Sequence, residues 1–397
     1  MLKGLKRITY LVENLESAKQ WYGKILNAQP VFETPLAAIF SIGGGSMSLV
    51  KGTPPLPARD GRIDVYWDVD DIETVYRELL ASGATPLEPV KTLLNIKTAK
   101  VLDPFGNVLG ITSMAAEARN LSVENAPSET ALHVAFCRAL AALDERKEIR
   151  GPDTLAHLFL PEERKKHLAD QASRTNVIQK GISSPLFGYF TARTAWIDGL
   201  FNNALQNGVP QIVLLGAGYD TRAIRFKERL GNTRVFELDI QTTQQRKSRL
   251  LAEAAIEIPS RLSYVTIDFR TDDIGAVLEK AGFDKSRAAF FIWEGVSYYL
   301  APESIDATLR SVRACCAPDS AICFDYMTER LESVNAGEPF LFWIRPEEIG
   351  TFLAEHGFSM IEHVDSREME KRYLTLRNGA LAERAMTRFM FALARAA

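Results

Sequence analysis

The stretch Gln211–Phe226, QIVLLGAGYDTRAIRF, decides the fold. Its apolar run Ile212–Leu215 enters Gly216-Ala217-Gly218, and a segment able to form a helix follows. An uninterrupted apolar run suits a parallel strand covered on both faces, and the two glycines let backbone approach a ligand closely. A turn of this kind serves nucleotide-like ligands. The next expected strand, Arg234–Leu238, ends in Glu237 and Asp239. A carboxylate about twenty residues past such glycines can accept both hydroxyls of a ribose.

Dinucleotide fingerprints carry a third glycine, which seats the helix on the strand and admits a pyrophosphate to its N-terminus. Here that position is Thr221. A cofactor without a pyrophosphate does not need the glycine, and S-adenosyl-L-methionine is the common one. A nicotinamide oxidoreductase is correspondingly disfavoured.

Further strands are expected at Ser263–Ile267, Ala289–Trp293, Ala321–Tyr326 and Phe389–Ala394, with helices between, clearest at Ile305–Cys315 and Pro346–His356. This alternation predicts an α/β fold, a doubly wound, mostly parallel Rossmann-like sheet, with ligands outside the carboxyl ends of the strands. Carboxylates stand at three of those ends: Asp239, Asp268 and Glu294. Upstream, Leu132, Ala135, Phe136, Ala139, Leu140 and Leu143 make a helical apolar stripe, and GYFTARTAWIDGLF continues as helix, giving a helical lid. The charged run Glu162–His167 reads as a solvated helix face.

Before residue 117 the pattern differs. Alternating Ile8, Tyr10 and Val12, a helix capped by Asn14, and strands at Ile39–Ile42 and Met47–Val50 around Gly43-Gly44-Gly45 make one set. After GTPPLPARDG the set recurs, with a strand at Ile63–Val69, a helix opened by Asp71 and closed by Gly83, and strands at Thr98–Leu102 and Val108–Thr112 around Asp103–Asn107. Two βαβββ repeats are the economical account. The expected domains are therefore 1–116, a polar linker 117–129, and 130–397.

The 397 residues carry a net charge of −3, 46% hydrophobic and 24% charged residues, an ordinary globular composition that spans more than one domain. No basic excess points to nucleic acid. No apolar stretch reaches the eighteen or so residues of a membrane span, and no h-region opens the chain. The four cysteines, Cys137, Cys315, Cys316 and Cys323, have no zinc spacing and are expected to be reduced in a cytoplasmic protein.

Two resemblances follow from these motifs. VENLESAKQWYGKILNA, VDDIETVYRELLASGA and DPFGNVLGIT resemble the glyoxalase/bleomycin-resistance/dioxygenase (vicinal-oxygen-chelate) family over residues 4–113. Its catalytic members hold a metal with His, Gln or Glu, whereas the comparable positions here are Arg7, Asp64 and Gly110. One carboxylate falls short of a three-ligand site, so no metal is expected, and Arg7 and Asp64 are expected to form an ion pair. The implied roles are dimerisation, giving a homodimer through this domain, or ligand binding. Metal-dependent chemistry there, or a non-catalytic resistance protein, are the alternatives.

GAGYDTRAIRF, FTART, FELDIQTTQQRKSRLL, TIDFRTDD, FIWEGVSYYLAPESID and RPEEIGTFLAEHGF resemble the leucine carboxyl methyltransferase family over roughly residues 128–397. The resemblance implies Arg193 at the methionyl carboxylate of S-adenosyl-L-methionine, Gly216 and Gly218 in the glycine loop, Asp239 at the ribose, Asp268 and Phe269 at the adenine, and Glu294 after the fourth strand. It implies O-methylation of a carboxylate or hydroxyl, on a small-molecule acceptor, with S-adenosyl-L-homocysteine as product. Eukaryotic members act on a protein phosphatase C-terminus; the fused first domain, and Trp343 where members often have glycine, point away from that substrate. A carboxylate acceptor needs no base. For a hydroxyl acceptor His133, His356 and Tyr298 are candidates, and Arg222 either braces the loop or touches substrate.

Overall fold

The computed structural model describes residues 7–42, 45–52, 65–93, 96–114, 129–269, 271–329 and 340–397. The chain divides into two compact units, Met1–Asn120 and Leu121–Ala397.

The first unit repeats one unit of structure. Strand β1 (Arg7–Val12), helix Leu15–Ile25 and strands β2 (Phe32–Thr34), β3 (Ala37–Ile42) and β4 (Gly45–Lys51) are followed by β5 (Tyr66–Asp68), helix Ile72–Ala81, β6 (Thr85–Leu93), β7 (Ile96–Leu102) and β8 (Val108–Met114). Each repeat closes a four-stranded sheet in which the first strand pairs in parallel with the last, in the orders β1-β4-β3-β2 and β5-β8-β7-β6. Both helices start as the sequence suggests: the side chains of Asn14 and Asp71 accept the N–H groups of Ser17 and Thr74. One buried cluster, including Tyr10, Tyr22, Phe40, Ile72, Leu79 and Ile111, draws on both repeats.

The turn Asp103–Asn107 ties the repeats together. Asp103 Oδ1 accepts the N–H groups of Phe105 and Asn107, Oδ2 accepts the Tyr22 hydroxyl at 2.6 Å, and Asn107 Nδ2 donates to the Leu11 carbonyl at 2.9 Å. Asp64 and the side chain of Arg7 lie outside the described residues, and so does their expected ion pair. Gly110 is described. A Cβ there would stand 2.7 Å from the Val65 carbonyl oxygen and 2.8 Å from Tyr66 Cδ1, so the backbone leaves no room for the glutamate of metal-binding relatives. Among the described residues no group of three or more His, Cys, Asp or Glu could hold a metal ion.

The second unit is built on a seven-stranded sheet of order β11-β10-β9-β12-β13-β15-β14. Its strands are β9 (Gln211–Leu215), β10 (Arg234–Asp239), β11 (Leu262–Thr266), β12 (Ala289–Trp293), β13 (Ala321–Met327), β14 (Phe358–Val364) and β15 (Phe389–Ala396). The first five run parallel, and β15 is antiparallel to both neighbours. Side-chain alternation along β9 feeds two cores, Ile212 and Leu214 entering one and Val213 and Leu215 the other. The first core takes in helices Glu129–Ala142 and Ser184–Gln206; the second takes in Ile274–Lys280, Pro302–Ala314 and Ile349–Glu355.

Two expectations need correction. Strand β14 has no counterpart in the sequence reading, because only its ends Phe358 and Val364 are buried while Ser359, Met360 and Ile361 face solvent on a sheet edge. The helix expected after the glycines is a single turn, Arg222–Arg225, followed by a 3-10 turn at Lys227–Arg229. The run Glu162–His167 is a solvated surface, with Lys165 and Lys166 paired to Glu162 and Glu163. All four cysteines are free, and among the described residues no helix is long and apolar enough to cross a membrane.

The crowding at Gly110 predicts that Gly110→Ala destabilises the first unit by about 1–3 kcal/mol. Gly110→Glu should cost at least as much and create no metal site. Thermal unfolding with and without added zinc checks both; an unchanged melting temperature for Gly110→Ala would show that the Val65 backbone yields.

Candidate active site

The carboxyl ends of β9, β10 and β12 meet at one place. Leaving β9, the chain turns through Gly216 at φ +70° and Gly218 at φ +51°, backbone that side chains rarely adopt. A Cβ on Gly216 would also stand 2.7 Å from Val296 Cγ2, so the loops after β9 and β12 touch where only glycine fits. The Gly216 and Ala217 N–H groups donate to the Leu238 carbonyl, each at 3.0 Å, and Gly218 N–H donates to Asp239 Oδ2 at 2.6 Å.

These turns wall a cavity of about 290 Å³. Its lining includes Arg193, Gly216, Gly218, Asp239, Phe269 and Glu294, six of the residues singled out from the sequence. Helix Glu129–Ala142 contributes Thr130, Ala131, Val134 and Arg138, and the far side is closed by Gly295, Val296, Tyr299 and Leu300. Asp268 and Tyr298 are not among the lining residues. Asp268 belongs to a tight turn, its N–H bonded to Asp272 and its carbonyl accepting from Thr271 and Asp272. Glu237, the other acid at the end of β10, is buried against Lys247 at 2.5 Å, and burial pushes its carboxyl up to about 7 despite that partner.

Charge under the cavity is densely paired. Arg193 is 1% exposed. Its Nε lies 3.0 Å from Glu294 Oε1, an ion pair not aligned as a hydrogen bond, and its Nη1 donates to Asp325 Oδ2 at 2.8 Å. Glu294 Oε2 accepts from Arg222 Nη1 at 2.7 Å. Arg222, fully buried, also grips Asp220 and Asp198, and Arg225 shares Asp198. Arg138 Nη2 donates to the Tyr219 carbonyl at 2.9 Å and its Nε lies 3.5 Å from Asp153. Thr221, at the position of the absent glycine, donates its hydroxyl to Asp153 at 2.8 Å. Arg222 therefore braces the loop and does not line the cavity.

Titration follows from this pairing. Burial alone would raise Glu294, but the guanidiniums of Arg222, Arg193 and Arg138 outweigh it and hold the carboxyl down at about 2. Burial raises Asp239, opposed by the N–H groups of Gly218 and Ile240. The Tyr298 hydroxyl is pushed well above its ordinary value by burial and by Asp325, so it is no base at neutral pH. Burial lowers His133 to about 4, and its ring meets Phe190 edge-on. His356 is held by the Phe352 carbonyl and by Asp306. None of these three lines the cavity.

Arg138 and Asp325 were not singled out from the sequence. Arg138 and Asp325 did leave a signal, each being a lone charge inside an apolar run, FCRAL and ICFDYM. A charge in such a run has to be paired where it is buried.

Both parts of the chain are similar to known proteins. Residues 131–313 match the family described as leucine carboxyl methyltransferase, and residues 4–111 match the glyoxalase/bleomycin resistance protein/dioxygenase superfamily. A Bacillus subtilis (strain 168) protein named "Putative S-adenosyl-L-methionine-dependent methyltransferase YktD" is 30% identical over 207 residues, 48% of this chain and 67% of its own length. A Mycobacterium leprae (strain TN) protein of the same description, ML2020, is 31% identical over 221 residues, 55% of this chain and 71% of its own. Other relatives of that description are matched over as little as 49% of their length. Among solved structures, magnesium protoporphyrin IX methyltransferase from Synechocystis PCC 6803 aligns with a TM-score of 0.37 and 10% identity, over 59% of this chain and 94% of that one. A glyoxalase-related enzyme from Fulvimarina pelagi aligns with a TM-score of 0.25 and 20% identity, over 28% and 88%. The chain belongs to the leucine carboxyl methyltransferase family of S-adenosyl-L-methionine-dependent methyltransferases and carries, ahead of that region, a domain of the glyoxalase/bleomycin resistance protein/dioxygenase superfamily.

Proposed function

We propose that the cavity at the ends of β9, β10 and β12 holds S-adenosyl-L-methionine, and that the second unit O-methylates a carboxylate or hydroxyl of a small molecule. One observation carries the reading: a single cavity is lined by a buried guanidinium, a glycine turn with no room for a side chain at Gly216, an acid at the end of β10 and an aromatic ring. The cofactor's functional groups call for that set. Arg193, with Arg138 beside the same cavity, would bind the methionyl carboxylate; Gly216 and Gly218 would let backbone approach; Asp239 would accept the ribose hydroxyls; Phe269 would pack on the adenine. Glu294 has lone pairs beyond the two its arginines use and would accept the ammonium. Asp268 is left out of this assignment, since it does not line the cavity. Thr221 tied to Asp153 also argues against a dinucleotide, whose pyrophosphate needs a glycine there.

When bound, the cofactor supplies a methyl group on a sulfonium sulfur. The residues then serve to hold acceptor and methyl in line and to keep water out, which suffices for an acceptor that is already ionised. No imidazole lines the cavity among the described residues, which favours a carboxylate over an alcohol. The first unit, over 1–116, we assign to dimerisation or ligand binding, joined through a linker at 117–129 to the methyltransferase domain at 130–397. Four free thiols support a cytoplasmic setting. Stoichiometric zinc, nickel or iron in the purified protein would overturn the metal-free reading of the first unit.

Asp239→Ala and Arg193→Ala should each weaken S-adenosyl-L-methionine binding about tenfold or more by calorimetry, since each deletes a charge-assisted hydrogen bond. Arg193→Ala should also cost about 3–5 kcal/mol of stability, because Glu294 and Asp325 lose a buried partner. Unchanged affinity in both variants would refute the site assignment. A carboxylate acceptor predicts a kcat that is flat between about pH 6 and pH 9, whereas a hydroxyl acceptor predicts a rate that rises with pH.

Glu294 gives a stability prediction with a definite sign. Its folded value of about 2 lies below its ordinary 4.5, so the stability it contributes is complete above pH 4.5 and is lost as the pH falls towards 2. Acid unfolding of the wild type should steepen in that window by on the order of 3 kcal/mol. Glu294→Gln should be less stable at neutral pH and lack that part of the slope; identical acid profiles would show that Glu294 is not held ionised.

A further inference from the structure

Asp325 sits on β13 with no solvent exposure and does not line the cavity. Every group that reaches its carboxylate is a donor. Oδ1 accepts the Gly295 N–H at 2.6 Å; Oδ2 accepts Arg193 Nη1 at 2.8 Å, the Tyr189 hydroxyl, and the Tyr298 hydroxyl at 3.4 Å. These donors come from helix Ser184–Gln206, from the loop after β12 and from the turn Ser297–Tyr299, so one carboxylate fastens three segments.

The consequence falls on Arg193. Its Nε faces Glu294 and its Nη1 is taken by Asp325 and the two tyrosine hydroxyls, each of which lies 3.3 Å away. Its guanidinium carbon lies 5.3 Å from the Tyr189 ring centre and 5.0 Å from that of Phe190, which restrains rotation of the plane. Nη2 makes no hydrogen bond to the described residues, on a side chain that lines the cavity.

We propose that Asp325 is a positioning residue for the amino-acid end of the ligand: by holding Nη1 it presents Nη2 to a carboxylate in the cavity, and by holding Gly295 N–H it fixes the backbone next to Glu294. The proposal rests on the cofactor reading above. An aspartate is required because an asparagine would turn its NH2 group against one of the donors on Oδ1 or Oδ2.

The test is calorimetric titration of the full chain, wild type and Asp325→Asn, with two probes. S-adenosyl-L-homocysteine has the amino-acid tail; 5′-methylthioadenosine keeps the adenosine and the sulfur and lacks the tail. Asp325→Asn should lose about tenfold or more in affinity for the first and less than about twofold for the second. Equal losses for both probes would reduce Asp325 to a general structural role, and unchanged affinity for S-adenosyl-L-homocysteine would remove its role altogether; either result overturns the proposal. A wild type that binds both probes equally well would instead strike at the cofactor reading, by showing that the cavity does not recognise the tail. Should Asp325→Asn fail to fold, Tyr189→Phe deletes one neutral donor to the same oxygen. It should show the same tail-selective loss at about threefold or more, and a non-selective change or none would overturn the proposal equally.

Discussion

Keeping four guanidiniums and five carboxylates out of water in one connected network is the constraint on which the second unit depends. Arg138, Arg193, Arg222 and Arg225 are set against Asp153, Asp198, Asp220, Glu294 and Asp325, all buried or nearly so. Desolvating such charges costs several kcal/mol per ion and is offset only when each has well-placed partners. Here the partners come from far along the chain: Arg193 and Asp325 are 132 residues apart, and Arg222 and Glu294 are 72. The sheet supplies a platform, and the pairing fixes how the helices and loops stand around its carboxyl end.

Glycine and acid divide the remaining work. At Gly216 and Gly218 the backbone turns where a side chain would be strained, and Asp239 then takes the Gly218 N–H, so the shape of the loop and the position of the acid are set together. Thr221 shows the same economy. The position that dinucleotide-binding folds leave empty for a pyrophosphate is used here to anchor the loop to Asp153. What distinguishes this turn from a dinucleotide site is therefore a bond that is present as well as a glycine that is missing.

The sheet and much of the cavity lining were legible in the amino-acid sequence for one reason: parallel strands deliver whatever follows them to a common edge. Gly216, Asp239 and Glu294 follow apolar runs and had to meet there. Asp268 follows such a run too, yet its chain folds back on Asp272 and does not line the cavity, a local turn that strand order does not specify. Between Glu237 and Asp239 the choice depended on Lys247, on helix Gln241–Glu253, which pairs with Glu237 inside the protein. Arg138 and Asp325 were obscured because the apolar stripes around them announce burial and say nothing of long-range partners. Strand β14 was hidden because an edge strand with solvent on its middle residues has no apolar period to read. In the first unit both cap residues and the repeat were plain, while the obstruction at Gly110 arises from the Val65 carbonyl just before β5 and from the Tyr66 ring.

The place of β15 has a consequence for how this chain comes off the ribosome. It lies between β13 and β14 and, among the described residues, is the only strand of the sheet to which β14 pairs. Residues 358–364 precede residues 389–396 in the chain, so β14 has no ladder to join until β15 is in place. Counted outward from β9, strand order follows chain order as far as β13, and the next interior place is taken by β15, not by β14. Unit 2 is thus a non-local, slow-closing topology whose C-terminal strands must arrive together, and the unpaired edge of β13 is the surface a nascent chain has to keep from other strands until they do.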